Sequence, residues 1–174
     1  MADAAFSEQL AKLESRRAVV GVIGLGYVGL PLVRLFVQAG FRTFGFDCDG
    51  QKVEALNAGQ SYIKHIDSSL IREMVDTGRF HPTTDFCELR QVDAILICVP
   101  TPLTENHEPD MSYVQGTARS IRDNLTRGQL VVLESTTYPG TLRDVVRPIL
   151  EETGMKAGVD FYMAYSPEIG RAHV

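Results

Sequence analysis

The chain has 174 residues and is mildly acidic, because 17 Lys and Arg stand against 22 Asp and Glu and give a formal net charge of −5. This length suits one domain with a substantial core and argues against two. The sequence has no basic cluster that could follow a nucleic-acid backbone and no apolar run near the roughly 20 residues of a membrane span, so we expect neither partner.

The first predicted element is a short helix. Phe6, Leu10 and Leu13 recur at helical spacing among charged neighbours, which predicts an amphipathic lead-in helix within residues 1–17. We expect this helix to pack against the domain.

A glycine-rich turn follows the first predicted strand and leads into an apolar helix over about 28–38. The turn, 24–29, reads Gly-Leu-Gly-Tyr-Val-Gly. Gly24 permits the tight turn, Gly26 lets the backbone approach a phosphate, and Gly29 lets the helix pack closely on the strand. Since free N–H groups at a helix start attract anions, this pattern predicts a site for the pyrophosphate of a dinucleotide.

The second predicted strand, 41–47, ends in Asp47, which lies 23 positions after Gly24. A carboxylate at this spacing typically binds the adenosine ribose hydroxyls and repels a 2′-phosphate, so we expect NAD rather than NADP. Arg42 or Lys52 could soften that preference. The alternative is that Asp47 only caps the turn that follows it.

The rest of the chain alternates between helices and strands. Helices are predicted over 51–57, 68–76, 112–124 and 141–152. Strands are predicted over 93–99, 130–133 and 161–165. Ser68 or Ser69 is the expected N-cap of the second of these helices. Residues 61–66 fit neither the helical nor the strand period. The alternation predicts an α/β fold, a Rossmann-type doubly wound parallel sheet whose ligands lie beyond the carboxyl ends of the strands.

The three cysteines and four histidines do not suggest a metal site. Cys48, Cys87 and Cys98 are scattered, as is typical of reduced thiols, and Cys98 lies within an apolar strand. The histidines lack the spacing of metal ligands. We therefore expect no metal and a cytoplasmic location.

The segments that follow the predicted strands carry a family resemblance. They are Gly-Leu-Gly-Tyr-Val-Gly (24–29), Cys-Val-Pro-Thr-Pro (98–102), Glu-Pro-Asp-Met-Ser-Tyr-Val (108–114), Glu-Ser-Thr-Thr-Tyr-Pro-Gly-Thr (134–141) and Tyr-Ser-Pro-Glu (165–168). Together they resemble the N-terminal NAD-binding domain of the nucleotide-sugar 6-dehydrogenases, over about residues 18–168. Their form looks most like the UDP-N-acetylglucosamine 6-dehydrogenase branch, with the UDP-N-acetylmannosamine and UDP-glucose enzymes as alternatives.

The resemblance implies oxidation of a sugar C6 hydroxymethyl group to a carboxylate by two NAD⁺ in succession. A cysteine of the family's second half holds the aldehyde and then a thioester. The implied partner is a UDP-sugar bound mostly by that second half, and the implied assembly is a homodimer or higher.

The resemblance also implies roles for individual residues. The implied catalytic residues are Thr136 and Glu168. The implied cofactor-binding residues are Gly24, Gly26, Tyr27, Val28, Gly29, Asp47, Lys52, Pro100, Thr101 and Thr136. Taken alone, Thr101 is also compatible with a plain strand end, and Ser135 or Thr136 with a helix N-cap.

The family pattern sets the expected boundaries. We expect a single domain that stops before the linking helix and second domain, and that binds NAD without turnover. Residues 169–174 are expected to be non-native, because they match an in-frame translation of sequencing-adapter DNA where the family has Arg after Glu168. A non-catalytic NAD-sensing module is the alternative from another class, although it would not need Thr101, Thr136 and Glu168.

Overall fold

The computed structural model describes residues 2–102, 109–135 and 137–166, with side chains from Phe6 onward. Within them lies one sheet of six parallel strands, in the order β3-β2-β1-β4-β5-β6. The strands are β1 (Val19–Ile23), β2 (Arg42–Phe46), β3 (Phe80–Thr83), β4 (Ala94–Ile97), β5 (Leu130–Leu133) and β6 (Tyr162–Tyr165). This order, which reverses between β1 and β4, confirms the predicted Rossmann-type sheet.

Helices connect the strands. They are α1 (Ala2–Glu14), α2 (Gly29–Gln38), α3 (Gly50–Asn57), α4 (Ser68–Asp76), α5 (Ser112–Arg122) and α6 (Arg147–Glu151). A 3₁₀ helix, Phe86–Gln91, precedes β4. No helix in the described part of the chain is long and apolar enough to cross a membrane.

The sheet separates two apolar layers, because side chains alternate between its faces. Val20, Val22 and Leu96 pack with α2, α3 and α4. Ile95 and Ile97 pack on the opposite face with α5 and α6. Strand β1 is therefore covered on both sides, as expected for the central strand of a parallel sheet.

Two local features differ from the expectations. Strand β3 was missed because it is short and contains Pro82, which sequence patterns count against a strand; as the edge strand, β3 tolerates a residue without an N–H. Helix α4 is capped by Asp67, which accepts the Ser69 N–H at 2.7 Å, and not by Ser68 or Ser69. The helix expected over 141–152 is present, but its first part, Leu142–Val146, is a π-helical turn that continues directly into α6. Pro148 lacks the N–H that would continue a regular ladder there.

Candidate functional site

A cleft of about 910 Å³ opens at the carboxyl ends of the strands, where the strand order reverses. This is the usual ligand position in doubly wound sheets. Most of the residues that the sequence analysis assigned to a cofactor line it: Gly24, Gly26, Tyr27, Val28, Asp47, Lys52, Pro100 and Thr101. Gly29 does not line the cleft.

Three glycines shape the turn between β1 and α2, each for its own physical reason. Gly24 has φ +93°, and a Cβ there would lie 2.6 Å from the Cys98 carbonyl oxygen. A Cβ on Gly29 would lie 1.9 Å from the Gly24 carbonyl oxygen, so Gly29 is required by packing. A Cβ on Gly26 would meet no atom within 4 Å, so the fold does not itself require glycine at this position.

The N-terminus of α2 opens into the same cleft. Val28, the residue before the helix, makes no side-chain cap, and the first turn contains no acidic residue. The positive end of the helix therefore faces the cleft without a neutralising group from its own first turn. This arrangement suits a bound anion such as a pyrophosphate.

Asp47 lies directly after β2 and is only 6% exposed. Its carboxylate accepts the Leu25 N–H at 3.0 Å and the Asp49 N–H at 3.0 Å, and the Lys52 ammonium lies 3.4 Å away. The bond to the Asp49 N–H is the one expected if Asp47 only caps the turn that follows it. Because the same carboxylate also lines the cleft, the capping role and a ligand role are compatible.

The ends of β4 and β5 form the other side of the cleft. Ser135 is buried, and its hydroxyl donates to the Val99 carbonyl at 3.1 Å. It ties the two strand ends together and does not cap a helix, so the N-cap role expected for Ser135 or Thr136 is wrong for Ser135. Pro100 and Thr101 follow Val99 along the cleft wall.

Some assigned residues cannot be placed in this geometry. Thr136 and Glu168, the two implied catalytic residues, lie outside the described residues, as do 103–108 and 167–174. Residues 109–114 are described. Asp110 accepts the Ser112 N–H at 2.9 Å. That bond lowers the pKa of the Asp110 carboxyl and stabilises the start of α5.

The cleft also contains residues that the sequence analysis did not assign. Tyr62 and Ile63 reach it from the connection between α3 and α4. A face of α5 supplies Ser112, Tyr113, Gly116, Thr117 and Ser120. The spacing of four between Ser112, Gly116 and Ser120 is the sequence signal that could have indicated this face.

The three cysteines have different surroundings: Cys48 and Cys87 are exposed, and Cys98 is buried. Within residues 2–102, 109–135 and 137–166, no group of three or more His, Cys, Asp or Glu side chains could hold a metal ion.

Comparison with known proteins identifies the family. Residues 18–172 match the UDP-glucose/GDP-mannose dehydrogenase family, NAD binding domain. The chain belongs to this family. The match confirms the resemblance drawn from the strand-end segments, and with it NAD as the cofactor.

Similar proteins share this domain. UDP-N-acetyl-D-mannosamine dehydrogenase of Pyrococcus horikoshii is 36% identical over 151 residues, which cover 86% of this chain and 36% of that protein. GDP-mannose 6-dehydrogenase of Pseudomonas syringae pv. syringae is 38% identical over 159 residues, which cover 87% of this chain and 36% of that protein. The chain thus spans about a third of the length of the curated relatives it matches.

A solved structure has the same architecture. A ternary complex of GDP-mannose dehydrogenase from Pseudomonas aeruginosa superimposes with a TM-score of 0.83 at 34% identity, and the match covers 87% of this chain and 36% of that one. The chain therefore has the fold of the NAD-binding domain of this family.

The cleft of this family member fits a dinucleotide. Gly26 leaves open space where a Cβ would stand, the start of α2 is uncapped, and Asp47 presents a carboxylate one strand away. These are the three features that a pyrophosphate and an adenosine ribose require.

Proposed function

We propose that the whole protein is an NAD-dependent UDP-N-acetyl-D-glucosamine 6-dehydrogenase. The observation that carries the proposal is the cleft itself, which runs from the Asp47 carboxylate past the glycine turn to the ends of β4 and β5. Its adenosine end, its phosphate-binding turn and its reactive end are provided by successive strand ends, as dinucleotide chemistry needs.

Each end of the cleft has a proposed task. Asp47 and Lys52 bind the adenosine ribose, and Gly26, Tyr27 and Val28 surround the pyrophosphate with backbone N–H groups. Pro100 and Thr101 lie toward the nicotinamide half. On the family resemblance, Thr136 positions a water molecule or the reacting hydroxyl, and Glu168 serves in acid–base chemistry.

The reaction balances with two molecules of the cofactor. One CH₂OH group, two NAD⁺ and one water give one carboxylate, two NADH and three protons. Bound NAD⁺ supplies the hydride acceptor. The chain's part is to hold that cofactor in a fixed orientation against the strand ends.

We further propose that none of the three cysteines is the nucleophile of this reaction. Cys48 adjoins Asp47 at the adenosine end of the cleft, and Cys87 lies in the 3₁₀ helix outside it. Cys98 is buried at the end of β4, where a thiol behaves as a small apolar side chain. Three cysteines that form no disulfide also support a reducing, cytoplasmic setting.

The choice of sugar rests on the strand-end segments, whose form favours the N-acetylglucosamine branch. UDP-N-acetyl-D-mannosamine is the second candidate, because relatives with that name match this chain at 36% and 38% identity. The two substrates differ in configuration at C2, far from the oxidised C6.

Calorimetric titration of this chain with NAD⁺ tests the cofactor part of the proposal. We expect one binding site, and weaker binding of NADP⁺ because Asp47 repels its 2′-phosphate. An absence of heat at millimolar NAD⁺ on folded protein would contradict the proposed use of the cleft.

An assay of the whole protein tests the substrate. UDP-N-acetylglucosamine, UDP-N-acetylmannosamine, UDP-glucose and GDP-mannose are each incubated with NAD⁺, and NADH and the sugar carboxylate are counted. We expect two NADH for each carboxylate, with the highest kcat/KM for UDP-N-acetylglucosamine. A higher value for another sugar would overturn the substrate, and NAD⁺ binding without any oxidation would favour a sensing module.

A further inference from the structure

A side chain outside the family motifs, that of Tyr62, makes a hydrogen bond to the phosphate-binding turn. The Tyr62 hydroxyl donates to the Leu25 carbonyl at 2.6 Å. Tyr62 belongs to the connection between α3 and α4, 37 residues along the chain from Leu25. The bond therefore joins two separate walls of the cleft.

The backbone of Leu25 is fixed at both of its polar groups. Its N–H donates to Asp47 at 3.0 Å and its carbonyl accepts from Tyr62. Its side chain is fully buried. The peptide planes on both sides of Leu25 therefore have little freedom to rotate.

This restraint decides where the next N–H points. In a trans peptide the carbonyl of one residue and the N–H of the next point in opposite directions. When Tyr62 holds the Leu25 carbonyl, the Gly26 N–H is directed away from Tyr62. Gly26 lines the cleft at the point where the backbone comes closest to a bound pyrophosphate.

The surroundings of Tyr62 keep its hydroxyl a donor. Burial, with a smaller contribution from the Asp47 and Asp49 carboxylates, raises the pKa of Tyr62 above its ordinary value. The phenol is thus protonated throughout the physiological range. The Lys52 ammonium lies 6.0 Å from the centre of the Tyr62 ring, so the ring also supports the adenosine end of the cleft.

We propose that Tyr62 is a positioning residue that preorganises the Gly26 N–H for the pyrophosphate of NAD. The inference rests on the proposed use of the cleft, and it assigns to the Tyr62 hydroxyl a share of the cofactor affinity. The gain comes from fixing the donor before the ligand arrives, which lowers the entropy cost of binding.

Tyr62→Phe tests this proposal, because it keeps the ring beside Lys52 and removes only the hydroxyl. We expect NAD⁺ affinity to fall by roughly 3- to 10-fold, the range of one net hydrogen bond. Adenosine lacks the pyrophosphate, so its affinity should change by less than about 2-fold. Both are measured by calorimetry or ligand-observed NMR on the 174-residue chain, with folding checked by thermal denaturation.

A matched control is Tyr162→Phe, which removes a phenol hydroxyl from β6, outside the cleft lining. It should leave NAD⁺ and adenosine binding unchanged. Wild-type NAD⁺ affinity in Tyr62→Phe, or an equal loss for NAD⁺ and adenosine, would overturn the positioning role alone. Failure of the wild-type chain to bind NAD⁺ would overturn the proposed function and this inference with it.

Discussion

Gly24 and Gly26 are two positions apart, yet the fold requires glycine only at Gly24. Gly24 combines a left-handed φ of +93° with a close carbonyl. We expect Gly24→Ala to lower the free energy of unfolding by about 1–3 kcal/mol or more. Gly26 has neither constraint, so Gly26→Ala should stay within about 1 kcal/mol of the wild type. Urea denaturation measures both.

Gly26→Ala should change NAD⁺ binding far more than it changes stability. A methyl group at Gly26 occupies the space that we assign to the pyrophosphate, so Gly26→Ala should weaken NAD⁺ binding at least roughly tenfold while remaining folded. Calorimetric titration beside the wild type provides the measurement. Undiminished affinity in Gly26→Ala would show that the pyrophosphate lies elsewhere.

Asp47 is expected to set the preference between NAD⁺ and NADP⁺. Asp47→Asn keeps an acceptor for the Leu25 N–H but removes the negative charge and frees the Lys52 ammonium from its 3.4 Å ion pair. We expect the ratio of the NADP⁺ and NAD⁺ dissociation constants to fall by about tenfold or more, since like charges in contact cost several kcal/mol. Asp49→Asn, at the cap of α3, is the control and should leave that ratio unchanged.

The assigned residues that line the cleft are those whose place along the chain is set by local spacing. Gly24 and Gly26 follow a strand within a few residues, and Asp47 ends the next strand, so spacing alone placed them. Tyr62 was missed because its place depends on how the chain between α3 and α4 folds back over the turn. No local period encodes that path.

The elements show the same division between local and distant information. Strands β1, β4 and β5 were predicted because their apolar runs are nearly continuous, as parallel strands covered on both faces require. Strands β2 and β6 were predicted from their place in the alternation of elements. Strand β3 is Phe-His-Pro-Thr, with only one large apolar side chain, and it forms because β2 offers an edge at which Phe80 is buried. That condition is tertiary and is absent from the segment itself.

Asp93, directly before β4, connects α1 to the sheet through its carboxylate and its backbone carbonyl. Asp93 accepts the Lys12 ammonium at 3.0 Å and the Val19 N–H at 2.8 Å, and its carbonyl accepts the Gln9 amide at 2.7 Å. Asp93→Ala leaves the Val19 N–H and Lys12 without this partner. We expect a loss of about 1–3 kcal/mol in the free energy of unfolding, measured in urea.

The control for α1 is Glu8→Gln. Glu8 lies 3.7 Å from Lys12 but is largely exposed, so its removal should change stability by less than about 0.5 kcal/mol. A similar effect of both variants would mean that Asp93 stabilises the domain only through its charge. The contrast in size is therefore what assigns the attachment of α1 to the partly buried hydrogen bonds of Asp93.

At the scale of the whole molecule, the site is a consequence of strand order. Strand β1 pairs with β2 on one side and with β4 on the other. The chain leaves β1 toward α2 on one face of the sheet and leaves β4 toward α5 on the other face, so a cleft opens between these two connections. The alternation of elements predicted this opening. The sequence did not predict that the α5 face and Tyr62 line its walls, because their positions depend on how the elements pack.

A ligand that bridges this cleft should stabilise the entire domain, since it contacts the ends of several central strands at once. At one hundred times its dissociation constant NAD⁺ should add about 2.7 kcal/mol. For a chain of this size that corresponds to a rise in Tm of roughly 5–10 °C. Differential scanning calorimetry with and without NAD⁺ measures the shift, and NADP⁺ at the same concentration should give a smaller one because of Asp47. Gly26→Ala should lose about half or more of the NAD⁺ shift while keeping a Tm near that of the wild type, and a full shift in that variant would place the stabilising ligand outside the cleft.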